Sequence, residues 1–119
     1  MLLAGMLAPS ARGETRQTVT LVMTEYRFTP AALRLRANRA YRLVLLNRGK
    51  ELHEFTAPEF LRAVTVDNPG VLSDEGREIA VSPGERRELL FDTHQPGHFP
   101  LACADHDWAG MVGTIAIDR

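Results

Sequence analysis

The sequence predicts an all-β protein, a Greek-key β-sandwich of about seven or eight strands. Apolar residues alternate with polar ones, or run in short β-branched blocks, as half-buried strands require. Turn signals such as Asn-Pro-Gly and Ser-Pro-Gly separate these blocks at intervals of roughly 8 to 14 residues. No stretch of about 12 residues keeps the period of a helix, which excludes a helical bundle.

The predicted strands begin soon after residue 17. Alternation is clearest at residues 18–23, 33–36 and 41–46. Further strands are expected at residues 52–56, 63–66, 77–81, 86–92, 98–103 and 112–117, with a short helical turn at residues 58–61. The turn signals between them lie at residues 29–30, 37–38, 47–50, 68–70, 82–84 and 95–97. This spacing favours an antiparallel arrangement of neighbouring strands.

Length and composition exclude several classes of protein. A chain of 119 residues has the size of one domain, which excludes a large multidomain enzyme. Hydrophobic residues make up 45% and charged residues 24%, as in ordinary globular proteins. The net charge of -1, from 14 basic and 15 acidic residues, lacks the basic excess that nucleic-acid binding needs. No nucleic-acid partner is expected.

Residues 1–12 read MLLAGMLAPSAR, an apolar run followed by small residues and proline. This pattern is typical of the apolar and cleavage regions of a secretory signal, although no positive segment precedes it. We interpret residues 1–13 as the remnant of a secretory signal or a disordered arm, and residues 14–119 as a single domain. The apolar run is too short to span a membrane, which takes about 20 residues. A periplasmic or otherwise exported protein is expected.

The chemistry concentrates in one C-terminal motif. Cys103 is the only cysteine, which excludes an internal disulfide and any metal site that needs several cysteines. It begins the pattern C-x2-H-x4-M with His106 and Met111, between two predicted strands. With four His and four Met in the chain, this spacing from the one Cys arises by chance about once in 900. A thiolate, an imidazole and a thioether together suit a soft metal ion.

A fourth donor, His53, lies in an upstream predicted strand. Alternation places it on the same inward face as Phe55, where an imidazole without a partner would be costly. The other two histidines, His94 and His98, are expected on the surface. The metal-binding hypothesis therefore contains His53, Cys103, His106 and Met111.

With these motifs the chain resembles the cupredoxins that hold a type 1 copper centre, specifically the small plastocyanin and pseudoazurin-like members. The resemblance covers about residues 19–118. It implies one type 1 copper ion per chain, with His53, Cys103 and His106 as strong equatorial ligands and Met111 as the weak axial ligand. The recognisable pieces are His53, the turn at residues 82–84, the Pro-Gly-x-Phe run at residues 96–99, the C-x2-H-x4-M motif and the closing segment 110–115.

Two positions depart from the family pattern. Many members have Asn after the first histidine and Ser or Thr after the cysteine, whereas this chain has Glu54 and Ala104. Those side chains brace the ligand loop by hydrogen bonds in the family. The surroundings of the site are therefore expected to differ, and Glu54 is the first candidate to replace Met111 as axial ligand.

Three functions remain open on the sequence. The first is a type 1 copper protein that shuttles single electrons and is not an enzyme, since four ligands leave no open position for substrate. The second is a periplasmic accessory protein for copper handling or metal uptake, including one linked to ferrous iron oxidation. The third is a sandwich without metal, in which Cys103 is a core residue.

For the electron carrier, the resemblance implies a monomer whose protein redox partner docks near His106. The expected apolar contact area consists of Trp108, Ala109, Gly110, Ala57 and Pro58. Acidic residues should surround this area, namely Glu54, Glu59, Asp105 and Asp107.

Overall fold

A computed structural model describes residues 15–119, which form ten strands in two five-stranded sheets. The predicted all-β sandwich is confirmed. The predicted signal remnant at residues 1–13 lies outside the described residues. Within residues 15–119, no helix has the length and apolar character needed to cross a membrane.

The two sheets have different strand orders. From one edge to the other, the first sheet consists of β2 (Arg27–Thr29), β1 (Gln17–Thr24), β4 (Ala40–Asn47), β8 (Arg86–Asp92) and β6 (Thr65–Val66). The second sheet consists of β3 (Ala32–Arg36), β10 (Val112–Asp118), β9 (Gly97–Ala102), β5 (His53–Thr56) and β7 (Glu78–Val81). The short helix α1 (Pro58–Ala63) leads from the second sheet back to the first.

The structure adds strands to the predicted number and changes the expected pairing. Strand β2 was not predicted, because three residues are too few to show an alternation, and the strand predicted at residues 63–66 is only the two-residue β6. Pairing is not purely antiparallel, since β1 runs parallel to β4 and β3 runs parallel to β10. The reason is a crossover: after β2 the chain forms β3 in the second sheet and returns to the first as β4, beside β1.

The core lies between the sheets and continues to the end of the sandwich where β5 begins. Phe60 of α1 packs edge-on against Phe55, Phe91 and Phe99, with ring centroids 5.5 to 6.3 Å apart. Burying a side chain of this size stabilises the fold by about 1.5 to 3 kcal/mol. Because Phe55 belongs to β5, this cluster fixes the strand that begins with His53.

Candidate metal centre

Three of the four predicted donors converge on one point. One side-chain donor atom of each of His53, Cys103 and His106 lies within 4.8 Å of the other two. The Nδ1 atoms of His53 and His106 are 3.9 and 3.5 Å from the Cys103 sulfur. His53 and Cys103 are completely buried, and His106 is 9% exposed. Two imidazoles and one thiol therefore face a common space that is shielded from water.

Strand pairing and one tight loop produce this geometry. His53 is the first residue of β5, and Cys103 follows directly after the end of β9. The loop after Cys103 turns at once, because the backbone N–H of His106 donates to the carbonyl of Cys103 at 3.0 Å. The loop closes where the backbone N–H of Cys103 donates to the carbonyl of Met111, also at 3.0 Å.

Met111 ends this loop, and its position depends on Gly110. Gly110 has a φ of 84°, in the left-handed region that favours glycine. This turn follows a short 3-10 helix, Asp107–Ala109, and directs the chain back to Cys103. Met111 is completely buried. The structure thus places this fourth predicted ligand next to Cys103 through the backbone, inside the core.

Glu54 braces the loop that follows Cys103. Its side-chain Oε1 accepts the backbone N–H of Asp105 at 3.1 Å and lies 3.2 Å from the Cys103 sulfur. Its own backbone N–H donates to the same sulfur at 3.3 Å. Glu54 is only 4% exposed, and this burial raises the pKa of its carboxyl. A carboxyl group therefore joins β5 to the loop where many cupredoxins have an amide.

Two further glutamates, which the sequence analysis did not select, contact the histidines. The Nε2 of His53 is 2.7 Å from Oε2 of Glu25, in the turn between β1 and β2. The Nε2 of His106 is 2.9 Å from Oε1 of Glu51, in the loop between β4 and β5. Since carboxylates only accept hydrogen bonds, a neutral ring satisfies its contact with a proton on Nε2, which leaves the lone pair of Nδ1 facing Cys103. Neither glutamate belongs to a motif that could have identified it.

Burial strongly affects the thiol. It raises the pKa of Cys103 from 9.0 to about 11, and the nearby Glu54 carboxyl adds to this rise, whereas the backbone N–H of Glu54 opposes it. Without metal, the thiol is therefore protonated at neutral pH. Its proton has to leave when a metal binds.

We expect slow alkylation of Cys103 in the folded, metal-free protein. Below both pKa values, raising the pKa from 9.0 to about 11 lowers the thiolate fraction about 100-fold. Iodoacetamide at about pH 8 should therefore react at least about 100-fold faster with urea-unfolded protein. The rate for the folded protein should keep rising with pH after the rate for the unfolded chain has levelled off. Equal rates would contradict the assigned burial of the thiol.

The outer edge of the His106 ring is covered by other side chains. Glu51 bonds its Nε2, and the Tyr26 ring lies 4.9 Å away between centroids. Trp108 is 76% exposed, next to Tyr26 at a centroid distance of 6.0 Å. The exposed aromatic surface at this end of the sandwich therefore belongs to Trp108 rather than to the His106 ring.

Two residues were wrongly expected at this surface. Ala57 is completely buried, because it lies between β5 and α1, and Glu54 is buried under the ligand loop instead of standing at an acidic rim. His94 and His98, by contrast, are exposed, as predicted.

The fold, the buried donors and the ligand-loop spacing agree with one family. The sequence profile of the cupredoxin-like domain matches residues 1–117. The chain belongs to the cupredoxin-like family. The resemblance found in the sequence is thereby confirmed. Among curated protein sequences, none matches this cupredoxin-like protein.

Solved structures include similar sandwiches. Auracyanin B is 25% identical, with a TM-score of 0.64 over 87% of this chain and 89% of its own. Reduced auracyanin from the photosynthetic bacterium Roseiflexus castenholzii is 13% identical, with a TM-score of 0.65 over 88% and 99% of the two chains. A multi-copper oxidase from Pseudomonas thermotolerans is 15% identical, with a TM-score of 0.66 over 87% of this chain and 29% of its longer one. The last two show a shared fold alone.

Proposed function

We propose that this cupredoxin-like protein binds one copper ion as a type 1 centre and carries single electrons between redox partners. The observation that carries the proposal is the buried convergence of two imidazole nitrogens and one sulfur within 4.8 Å. His53, Cys103 and His106 would hold the ion as strong ligands, and Met111 would be the weak axial ligand. Similarity to auracyanin B over most of both chains supports the proposal.

The donor chemistry fits copper. Thiolate and thioether suit Cu(I), while imidazole suits both oxidation states. When bound, copper supplies a Cu(I)/Cu(II) couple that takes up and releases one electron. The single cysteine excludes structural zinc sites built from four cysteines, or from two cysteines and two histidines.

The protein would hold the ligand side chains in fixed positions and exclude water from them. His53 is fixed by the phenylalanine cluster behind β5. The sulfur of Cys103 accepts the backbone N–H of Glu54, and the backbone N–H of Cys103 donates to the carbonyl of Met111. Side chains packed this closely move little, so a change of oxidation state requires little rearrangement. Export to the periplasm or exterior, a single domain from residue 14 onward and the absence of substrate turnover remain part of this proposal.

The absorption spectrum of the copper-loaded protein is the direct test. An intense thiolate-to-copper band in the visible region is expected for the electron carrier. A weak or shifted band with ready exchange of the metal would favour the accessory function in copper handling or metal uptake. If no band appeared and copper did not bind, the metal-free sandwich would replace both.

Met111→Leu should leave copper bound and raise the reduction potential. Met111 supplies the weakest donor, and losing a donor disfavours Cu(II) more than Cu(I). Leucine has a similar volume, so the buried position should remain filled at a cost below about 1.5 kcal/mol. The measurement is a redox titration followed by the visible band. An unchanged potential would show that Met111 is not axial and would make Glu54 the first residue to test next.

The proposal includes weak docking of a positively charged protein partner near His106. Exposed Trp108 would provide apolar contact, and Asp105 and Asp107 are exposed on either side of His106. A contact under about 1,200 Å² is typical of transient electron-transfer complexes.

Replacing Asp105→Asn together with Asp107→Asn should slow electron transfer with the native partner and weaken its dependence on salt, because acidic side chains attract a basic partner over a distance. The matched control is Asp74→Asn, in the exposed turn before β7. If rate and salt dependence were unchanged in the double variant, the docking face would lie elsewhere.

A further inference from the structure

Both histidines of the candidate copper site have a glutamate on the side away from the sulfur. Glu25 lies 2.7 Å from Nε2 of His53, and Glu51 lies 2.9 Å from Nε2 of His106. In metal sites, a carboxylate on the outer nitrogen of a histidine fixes the orientation and tautomer of the ring and makes it a stronger donor. Here this arrangement occurs on each of the two rings.

Hydrogen bonds and the space beside Gly49 fix the position of the Glu25 side chain. Its carboxylate also accepts the backbone N–H groups of Lys50 and Glu51, at 2.9 and 3.2 Å. These bonds, with the one from His53, hold the pKa of Glu25 below its ordinary value. Gly49 leaves the space for this carboxylate, because a Cβ at Gly49 would collide with Oε2 of Glu25.

Glu51 is held at both of its oxygens. Oε1 accepts from His106, and Oε2 accepts the hydroxyl of Tyr26 at 2.9 Å. The Tyr26 ring lies against the His106 ring. Since the backbone N–H of Glu51 donates to Glu25, the two carboxylates belong to one connected hydrogen-bond network.

We propose that Glu25 and Glu51 are positioning residues that aim both imidazole Nδ1 atoms at the metal and stabilise Cu(II) relative to Cu(I). The proposal rests on the copper-binding function proposed above. Two negative charges bonded to the ligand rings interact more favourably with the ion of higher charge. Stronger imidazole donors act in the same direction. The reduction potential of this protein should therefore be lower than that of the same four ligands without the two carboxylates.

The test compares Glu25→Gln and Glu51→Gln with the native protein. Glutamine keeps a hydrogen-bond acceptor and removes the charge. Each variant should bind Cu(II) about 10- to 100-fold more weakly, with a smaller change for Cu(I), so the potential should rise. Glu88→Gln is the matched control, since Glu88 bonds Arg42 and Arg86 on another part of the sandwich.

The substitution Gly49→Ala tests the position of the Glu25 side chain without changing its charge. The added methyl group should push the flexible Glu25 side chain away from His53 and raise the potential in the same direction. A second measurement uses the metal-free protein, in which the nitrogen NMR shifts of the imidazoles report the tautomer. His53 and His106 should carry the proton on Nε2, and His53 should lose this preference in Glu25→Ala.

The outcomes separate this inference from the proposed function. If the native protein shows the visible band but both Gln variants keep its potential and its Cu(II) affinity, the positioning role is wrong and copper binding stands. A native protein without a copper band overturns the proposed function and this inference together. Raised potentials in the two Gln variants and Gly49→Ala, with no change in Glu88→Gln, support the inference.

Discussion

Cys103→Ser should abolish the intense visible band of the copper-loaded protein. Cys103 supplies the only thiolate in the chain, and both the band and the strongest covalent bond to copper depend on that sulfur. A hydroxyl in its place binds copper weakly and gives no thiolate transition. The protein should still fold, because serine has a similar shape at this buried position. The measurements are the visible spectrum with added copper and circular dichroism without it.

The neighbouring substitution Ala104→Ser serves as the control. Ala104 is exposed next to the ligand, so this variant changes the same segment without removing a donor and should keep an intense band. If the band survived in Cys103→Ser, the type 1 assignment would be wrong.

Asn47→Ala should produce the largest loss of stability among the polar substitutions considered. Asn47 is 1% exposed and ends β4. Its side chain donates to the carbonyls of Glu51 and Val81 and accepts the N–H of Gly49, each at 2.8 Å. Alanine would leave these groups without their partner, at a cost of about 2 to 4 kcal/mol in the free energy of unfolding. Urea titration of the metal-free protein measures this loss.

Asn68→Ala provides a matched comparison. Asn68 makes two side-chain hydrogen bonds, to the backbone of Glu88 and Leu90, and it is only partly buried. Water can replace part of the lost hydrogen bonding, so the free energy of unfolding should fall by about 1 kcal/mol. Equal losses in the two variants would show that Asn47 does not hold the loop between β4 and β5 as the structure indicates.

Asn47 also connects the stability of the fold with the candidate site. The loop that it fixes contains Gly49 and Glu51, and the loop ends at His53. A loosened loop should therefore weaken the hydrogen bonds of Glu25 and Glu51 to the histidines. We expect Asn47→Ala to lower copper affinity in addition to stability, whereas Asn68→Ala should leave copper affinity unchanged.

The sequence by itself predicted the sandwich, most of its strands and the candidate ligands. It could do so because this information is local: strand alternation has a period of two residues, and three of the four donors lie within nine residues of one another. Alternation predicted that His53 faces inward with Phe55, and both residues are buried in β5. The short strand β2 was missed because three residues carry no period.

Only the tertiary structure decided what surrounds the donors. Glu25 lies 28 residues from His53, and Glu51 lies 55 residues from His106. These pairs meet because the chain crosses between the sheets, which brings the β1–β2 turn and the β4–β5 loop to the same end of the sandwich. No sequence pattern predicts these hydrogen bonds, since the distances between the partners are set by the packing of both sheets. The same packing placed Glu54 under the loop after Cys103, although alternation in β5 puts its side chain on the face opposite to His53 and Phe55.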